Sequence, residues 1–161
     1  MPLPSTMIPI ATNTLTATAT TITFSSIPQT YTDLVLVTSF TSGNNDEKLQ
    51  FNADTGANYS WSRLYGDGTS AGAGTSPTPT YIRNTGGDLT TQQNTIINIF
   101  NYANATTFKT TIGRGNNTAA QVTFTIGLWR STAAITSITY SVSANTFSVG
   151  STFTLYGIKA A

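Results

Sequence analysis

The chain has 161 residues, no cysteine and no histidine, and its seven basic and six acidic residues give a formal charge of +1. Charged residues make up 8% of the chain, against about 25% in an ordinary soluble domain, and about a fifth of the residues are threonine. This composition excludes disulfide bonds, thiolate metal sites and catalysis by histidine, and it leaves no basic surface for nucleic acid. The aromatic fraction of 11% and the recurring Val, Ile and Thr residues are typical of a β protein and not of a disordered chain.

The length predicts a single domain, residues 1–161, which is large enough to bury a core without disulfide bonds. Residues 1–6 contain two prolines and no periodic pattern, so we expect a short extended arm there. The beginning of the sequence lacks the basic and apolar regions of a signal peptide, and no apolar run reaches transmembrane length. We therefore expect a protein that is made in the cytoplasm and has no membrane partner.

The first third of the chain predicts short β-strands. Residues 7–11 and 15–24 alternate weakly between apolar and polar side chains, as strands with one buried face do. Residues 34–37, Leu-Val-Leu-Val, are too apolar on both sides for a surface strand and too short and β-branched for a helix. We expect this stretch to be a central strand covered on both faces. Residues 48–52 predict a further short strand after a turn of small polar residues.

A second turn is predicted at residues 54–58, and the alternating stretch 59–65 follows it. One face of that stretch carries three aromatic residues and Arg63. This face is either part of the core or a contact surface, because aromatic residues and arginine are enriched at the centres of protein interfaces. Residues 66–79 are almost all small, and they predict a long exposed loop that becomes ordered against a partner.

The second half of the chain carries the clearest strand patterns. Residues 80–83 predict a brief strand and residues 84–93 a polar connection. Residues 95–102 and 108–113 then predict a hairpin, because a short polar turn separates two alternating stretches.

The sharpest period-two pattern lies in residues 121–130, where Val122, Phe124, Ile126 and Leu128 alternate with polar or small residues. One of the two faces of this strand must belong to the core. Two more strands are predicted at residues 135–142 and 151–159. No stretch of the sequence supports an amphipathic helix.

About ten short strands separated by turns predict an all-β fold in which two antiparallel sheets pack as a sandwich. Sandwiches and barrels are the usual way in which such sequences protect the hydrogen-bonding edges of their sheets. Among the possible Greek-key sandwiches we favour a jelly roll.

Four segments of the chain carry a resemblance to known proteins: F-S-S-I-P-Q-T-Y-T-D-L-V-L-V at 24–37, L-Q-F-N-A-D-T-G-A-N-Y-S at 49–60, W-R-S-T-A-A-I-T-S-I at 129–138 and G-S-T-F-T-L-Y-G-I-K at 150–159. In these segments, which span most of the chain after about Leu15, the sequence resembles small virion structural proteins of tailed bacteriophages, notably those that infect cyanobacteria. The resemblance implies a β-rich building block of a phage particle, located in the virion after assembly in the host cytoplasm. It leaves both head and tail positions open.

Without histidine or cysteine, the reacting groups that remain are carboxylates. A pair of carboxylates is what a glycosidase needs, but turn formation accounts for most of the positions at which they occur. A calcium site built from Asp67, Asp88 and loop carbonyls lacks the alternating acidic spacing of a calcium-binding loop. We therefore predict no catalytic residue, no metal site, no cofactor and no enzymatic activity. The carboxylates considered are Asp33, Asp46, Glu47, Asp54, Asp67 and Asp88.

One triplet, Asp54-Thr55-Gly56, looks like the catalytic triplet of aspartic proteases, and Ile112-Gly113-Arg114 is similar to a downstream segment of the retroviral type. Two such aspartates that meet across a dimer would share a proton and activate water. That family has apolar residues directly before the triplet, whereas Asn-Ala precedes it in this chain. The triplet is therefore interpreted as a turn between two strands.

The resemblance and the lack of reacting groups favour a role in assembly. The first hypothesis is a capsid decoration or cement protein that binds the major capsid protein on the outer head shell. It would form a homo-oligomer, for which we prefer a trimer. Residues 1–6 and 66–79 are the elements expected to touch the shell or a neighbouring copy.

The alternative hypothesis is a tail-fibre or receptor-binding virion protein that recognises a glycan. Sugars stack on aromatic rings and are held by amide and hydroxyl groups, both of which this chain has in quantity. The rings that would serve this purpose belong to Trp61, Tyr65, Tyr81 and Trp129.

Overall fold

The computed structural model describes residues 6–43, 45–87, 90–119 and 121–159. These residues form twelve β-strands and no helix, so nothing among them is a helix that could cross a membrane. The strands are β1 (Met7–Thr14), β2 (Thr21–Phe24), β3 (Asp33–Phe40), β4 (Asn45–Phe51), β5 (Tyr59–Gly66), β6 (Ala71–Ser76), β7 (Ile82–Gly87), β8 (Gln93–Phe100), β9 (Lys109–Asn117), β10 (Val122–Trp129), β11 (Ile138–Val142) and β12 (Thr152–Ile158).

The strands form two antiparallel sheets. The large sheet has eight strands in the order β1-β12-β3-β8-β9-β10-β5-β6, and the small sheet has four in the order β2-β11-β4-β7. Buried side chains from both sheets form one hydrophobic core, as in a β-sandwich. The all-β sandwich predicted from the sequence is confirmed, and so is the hairpin of β8 and β9.

Strand β3 lies inside the large sheet between β12 and β8, in agreement with the prediction of a central strand. Leu34, Leu36 and Phe40 face the small sheet and are fully or almost fully buried. On the opposite face Val35 is buried and Val37 is half-buried. The strand is therefore packed completely on its inner face and only in part on its outer face, so the expected cover on both faces is only partly present.

Aromatic rings fill the interior beneath β3. The ring of Phe40 lies 6.2 Å from that of Tyr140 in β11, 6.0 Å from that of Phe153 in β12 and 5.1 Å from that of Phe147. These rings come from both sheets, so their contacts hold the two layers together. Each aromatic pair of this kind adds about 0.5–1.5 kcal/mol beyond the burial of its area.

Strand β10 turns its apolar face away from the interior. Thr123, Thr125 and Gly127 face inward and are buried, while the alternating apolar side chains face outward. The sheets approach each other closely here: a Cβ atom added to Gly127 would lie 2.7 Å from the side chain of Ile82 in β7 and 2.5 Å from Thr111 Oγ1 in β9. Only small side chains fit into this space. One face of β10 is core, as predicted, but it is the threonine and glycine face.

Residues 66–79 do not form the long loop that their composition predicted. Ala71–Ser76 is strand β6, which pairs with β5 at the edge of the large sheet. The small residues make room for an aromatic ring of β5, because a Cβ atom on Gly72 would lie 2.6 Å from Tyr65 Cζ. Asp67 closes the turn between the two strands by accepting two backbone amide hydrogen bonds. The absence of apolar alternation reflects this packing and does not indicate a loop.

Two other predicted segments have different bounds in the structure. Within residues 15–24 only β2 is a strand, and the preceding part makes one isolated bridge between Ala19 and Phe147. The polar connection predicted at 84–93 begins as part of β7, because β4 runs beside this segment and pairs with it. Both differences arise from pairing between segments that are distant in the sequence.

Candidate interaction surface

Three of the segments that carry the resemblance meet at one corner of the sandwich. Asn52 Oδ1 accepts a hydrogen bond from the Thr136 amide at 2.8 Å, and Asn52 Nδ2 donates to the Ala134 carbonyl at 2.8 Å. Gln29 Nε2 donates to the Ile135 carbonyl at 3.0 Å. The amide side chains thus hold the backbone of a neighbouring segment. These motif residues set the path of the chain and carry no reacting group.

Asp54, the aspartate of the Asp-Thr-Gly triplet, lies in a turn as the sequence predicted. Its carboxylate accepts hydrogen bonds from Trp129 Nε1 at 2.7 Å, from Asn58 Nδ2 at 2.9 Å and from the Gly56 amide at 2.8 Å. Partial desolvation acts to raise the pKa of Asp54, but these hydrogen bonds hold the pKa below its ordinary value. An ionised carboxylate with three donors stabilises the turn, whereas a protease pair has to share a proton.

Asp33 and Asp46 also have partners within the fold. Asp33 Oδ1 accepts a hydrogen bond from the Asn101 amide at 2.7 Å, and Asp46 Oδ1 lies 2.6 Å from Arg83 Nη2 in a partly exposed ion pair. Within the described ranges, no group of three or more carboxylates lies close enough together to hold a metal ion. Asp88, one of the two aspartates considered for calcium, lies outside the described residues.

Among the described residues, one acidic and one basic side chain are fully buried in the interior. Glu47 of β4 is hydrogen-bonded to the Tyr140 hydroxyl, and burial is the main cause that raises the pKa of Glu47 well above its ordinary value. Lys109 of β9 donates from Nζ to the Thr107 carbonyl at 2.7 Å and to the Thr132 carbonyl at 3.1 Å, while burial lowers the pKa of Lys109. Each group has partners within the fold, which makes its burial tolerable.

The aromatic side chains considered for glycan binding do not form an open platform. Trp129 is only 2% exposed and donates its indole hydrogen to Asp54. A cation lies over each of the other three rings at 4.5 to 6.0 Å from the ring centroid: Arg63 over Tyr65, Lys48 over Tyr81 and Arg83 over Trp61. Of the two roles left open for the face of residues 59–65, the core role applies to Tyr59, which is fully buried.

The outer face of the large sheet, which points away from the small sheet, carries an exposed group of apolar side chains. Leu64, Val122, Phe124 and Ile126 are between 42% and 61% exposed. They are neighbours, because Phe124 of β10 pairs with Leu64 of β5. We call these four residues the outer patch. Apolar side chains that cluster on a surface mark contact sites more often than singly exposed ones do.

The apolar surface continues from the outer patch across the sheet. Ile126 pairs with Ile112 of β9, and Phe124 pairs with Arg114, which in turn pairs with Ile96 of β8. Ile112 and Ile96 are half-buried among their neighbours. Arg114 is the only charged residue at the outward positions of β8, β9, β10 and β5, all of which are described. This part of the sheet therefore presents a nearly uncharged surface on which apolar side chains lie among hydroxyl and amide groups.

A shallow depression of about 610 Å³ lies beside the outer patch. Its lining combines two side chains of β10, Ile126 and Leu128, with Arg130 and with the hydroxyl residues Ser60, Ser62, Thr75, Ser76 and Thr110. The depression gives this face relief that a protruding side chain of a partner can enter. Its combination of an apolar floor and hydroxyl groups is typical of protein contact surfaces.

The structure describes one of the two elements that the sequence predicts to contact the shell, and only the last residue of the other. The arm at residues 1–6 lies outside the described residues except for Thr6, whose carbonyl accepts a hydrogen bond from the Lys159 amide at 2.9 Å. Residues 66–79 contain the edge strand β6, so they offer a partner an uncharged strand edge in place of a loop.

The sequence of β10 does not show that the outer patch is exposed, because an alternating strand has the same pattern whichever face is buried. A signal does exist in the small residues. Gly127 and Gly113 lie on the inward faces of adjacent strands, and a Cβ atom on Gly113 would lie 2.9 Å from Asn84 Oδ1. Glycine within a strand marks a close approach of other atoms, and here it marks the face that is buried.

Comparison of the chain with protein-family models, with curated proteins and with solved structures gives no match.

Proposed function

We propose that the chain is a structural protein of a bacteriophage particle and acts as a decoration or cement protein on the outer head shell. The observation that carries this proposal is the outer patch, since four exposed apolar side chains on one sheet face suit contact with another protein. The resemblance of residues 24–37 and of the three later segments to virion proteins supports the phage particle as the setting.

A head shell offers the same contact many times. A subunit that bridges neighbouring shell proteins adds buried interface at every equivalent position, so a modest contact is multiplied over the particle. The scarcity of charge suits this role, because apolar and hydroxyl contacts are not screened by salt as ion pairs are. The proposed partners are the major capsid protein and further copies of the chain, with no nucleic acid and no membrane.

The tail-fibre or receptor-binding alternative requires aromatic rings that are open to a sugar. Trp129 is buried, and cations lie over Trp61, Tyr65 and Tyr81. A sugar would have to displace these cations before it could stack on the rings from that side. This geometry favours the decoration role over glycan recognition.

For the topology of the sandwich we propose a jelly roll. In chain order β1, β3, β8 and β12 belong to the large sheet, while β2, β4, β7 and β11 belong to the small sheet. Repeated passage of the chain between two facing four-stranded sheets supports this topology. The hairpins β5–β6 and β9–β10 would then be insertions that widen the large sheet, and all four residues of the outer patch lie on them.

The number of copies in purified particles tests the proposed function. Quantitative mass spectrometry of virions of the phage that encodes the chain should find it at a copy number comparable to that of the major capsid protein. A few copies per particle would indicate the tail-fibre alternative. Absence of the chain from the particles would contradict both roles.

A further inference from the structure

The composition and size of the outer face point to a specific occupant. We propose that the outer patch packs against the same patch of a second copy of the chain, which gives a dimer with two-fold symmetry in place of the trimer preferred from the sequence. This inference rests on the proposed structural function, for which it names one partner.

The distribution of charge favours a second copy. Arg114 is the single charged residue at the outward positions of β8, β9, β10 and β5, and it is exposed. An acidic partner would find one cation on this part of the face, and a basic partner would find no anion. The four residues of the patch carry no charge, so a second copy of the patch can cover them without burying a charge in their place. Arg114 lies beside the patch in β9, and its long side chain can reach past the contact to keep its guanidinium in water.

The size of the face also fits. Neighbouring strands lie about 4.8 Å apart and each residue advances about 3.3 Å, so eight strands of about eight residues present roughly 900 Å². A stable pair of proteins buries about 800 Å² on each partner. The whole outer face, which carries Asp33 of β3 as well as Arg114 of β9, is thus large enough for a standard interface, with the apolar residues of β10 and β5 in its dry part and threonine and serine hydroxyls around them.

Two-fold pairing uses the relief of the surface. In a two-fold interface every contact occurs twice. If residue i of one copy contacts residue j of the other, then residue j of the first copy contacts residue i of the second. With the axis between Phe124 and Ile126, the Phe124 ring of one copy lies over Ile126 of the other, next to the depression that Ile126 and Leu128 line. Each copy then supplies both the protruding ring and the depression that receives it.

The mass of the full chain in solution tests this pairing. Analytical ultracentrifugation at micromolar concentration should give twice the chain mass of 17.0 kDa. The double variant Phe124→Glu with Ile126→Glu, which places like charges over each other across the two-fold axis, should halve the mass to that of one chain. Val149→Glu is the matched control, because Val149 is 61% exposed but lies in the turn before β12, and this variant should remain a dimer.

A second measurement keeps the test decisive if the double variant does not fold. The chain has no cysteine, so one introduced cysteine reports contacts between copies without background. Ser62→Cys, which pairs with Ile126 in the sheet, should form a cross-linked dimer with a short bis-maleimide. Thr23→Cys, exposed on β2 of the small sheet, should not.

Several results would overturn the pairing. They are a single-chain or trimeric mass for the unsubstituted protein, an oligomer that persists in a folded double variant, and equal cross-linking at positions 62 and 23. A monomer that is nevertheless abundant on phage heads would refute the pairing and leave the proposed function intact. A dimer that is absent from particles would do the reverse.

Discussion

Strands β3 and β10 are both strongly apolar strands of the large sheet, yet they bury opposite kinds of side chain. β3 directs Leu34, Leu36 and Phe40 toward the small sheet. β10 directs Thr123 and Thr125 inward and leaves Val122, Phe124 and Ile126 exposed. The space beneath a strand therefore decides, together with the composition of the strand, which of its faces is buried.

What lies beneath the two strands explains the difference. Beneath β3 the gap between the sheets is wide enough for the stacked rings of Tyr140 and Phe147. Beneath β10, Ile82 and Thr111 approach Gly127 so closely that a single added carbon atom would overlap with them. Turning the apolar face of β10 inward would overfill this space, and overfilling a core typically costs about 1–3 kcal/mol.

The largest effect is expected from placing a charge on the inner face of β3. Leu36→Asp should abolish folding, because an unpaired buried charge costs several kcal/mol, against a total stability of about 5–15 kcal/mol. Ile126→Asp on the outer face of β10 should change the free energy of unfolding of the single chain by less than about 0.5 kcal/mol. Circular dichroism and urea unfolding at low protein concentration compare the two. Equal loss of structure would mean that the outer face of β10 is buried within the chain.

A smaller effect is expected from filling the narrow gap under β10. Gly127→Ala should destabilise the fold by about 1–3 kcal/mol, because the new Cβ atom would overlap with Ile82 and Thr111. Each kcal/mol lowers the thermal midpoint by about 2–4 °C in a chain of this size.

Gly74→Ala on β6 is the matched control for that prediction. A Cβ atom there would lie 3.6 Å from Trp61 Cζ3, which is an ordinary contact, so the midpoint should hardly change. If both alanine variants melt at the same temperature as the unsubstituted chain, the sheets are not as close beneath β10 as described.

The smallest effect on the free energy of unfolding is expected from the buried threonines on the inner faces of β9 and β10. Thr125 Oγ1 donates a hydrogen bond to the Asn84 carbonyl at 2.7 Å, so Thr125→Val should cost about 1 kcal/mol. Thr111 Oγ1 has no hydrogen-bond partner among the described residues, and Thr111→Val should be neutral or slightly stabilising. Urea unfolding of the two isosteric variants measures the difference. The opposite ranking would show that the bond to Asn84 contributes nothing.

Much of the fold could be predicted from the sequence, because period-two alternation and turn residues are local signals. β3, β10 and the β8–β9 hairpin were located in this way. β6 could not be, because Ala71–Ser76 has no alternation of its own. Its extended conformation depends on pairing with β5 and on the Tyr65 ring that lies against Gly72. Contacts of this kind with other segments produce no alternation of apolar and polar residues within the segment itself.

The outer patch could not be predicted for a related reason. The direction of Phe124 and Ile126 depends on how near Ile82 comes to Gly127, and Ile82 belongs to the other sheet. The turn at Asp54-Thr55-Gly56, in contrast, could be predicted, because adjacent Asp, Asn and Gly residues are local turn signals. Among the described residues the carboxylates stay apart, in turns, in an ion pair or in the interior.

The side chains of the outer patch are wet before folding and remain largely wet after it, so an isolated copy gains little stability from them. These side chains add hydrophobic stabilisation only when another surface covers them and removes them from water. The thermal midpoint of unfolding therefore depends on protein concentration and on which other molecules cover the outer patch.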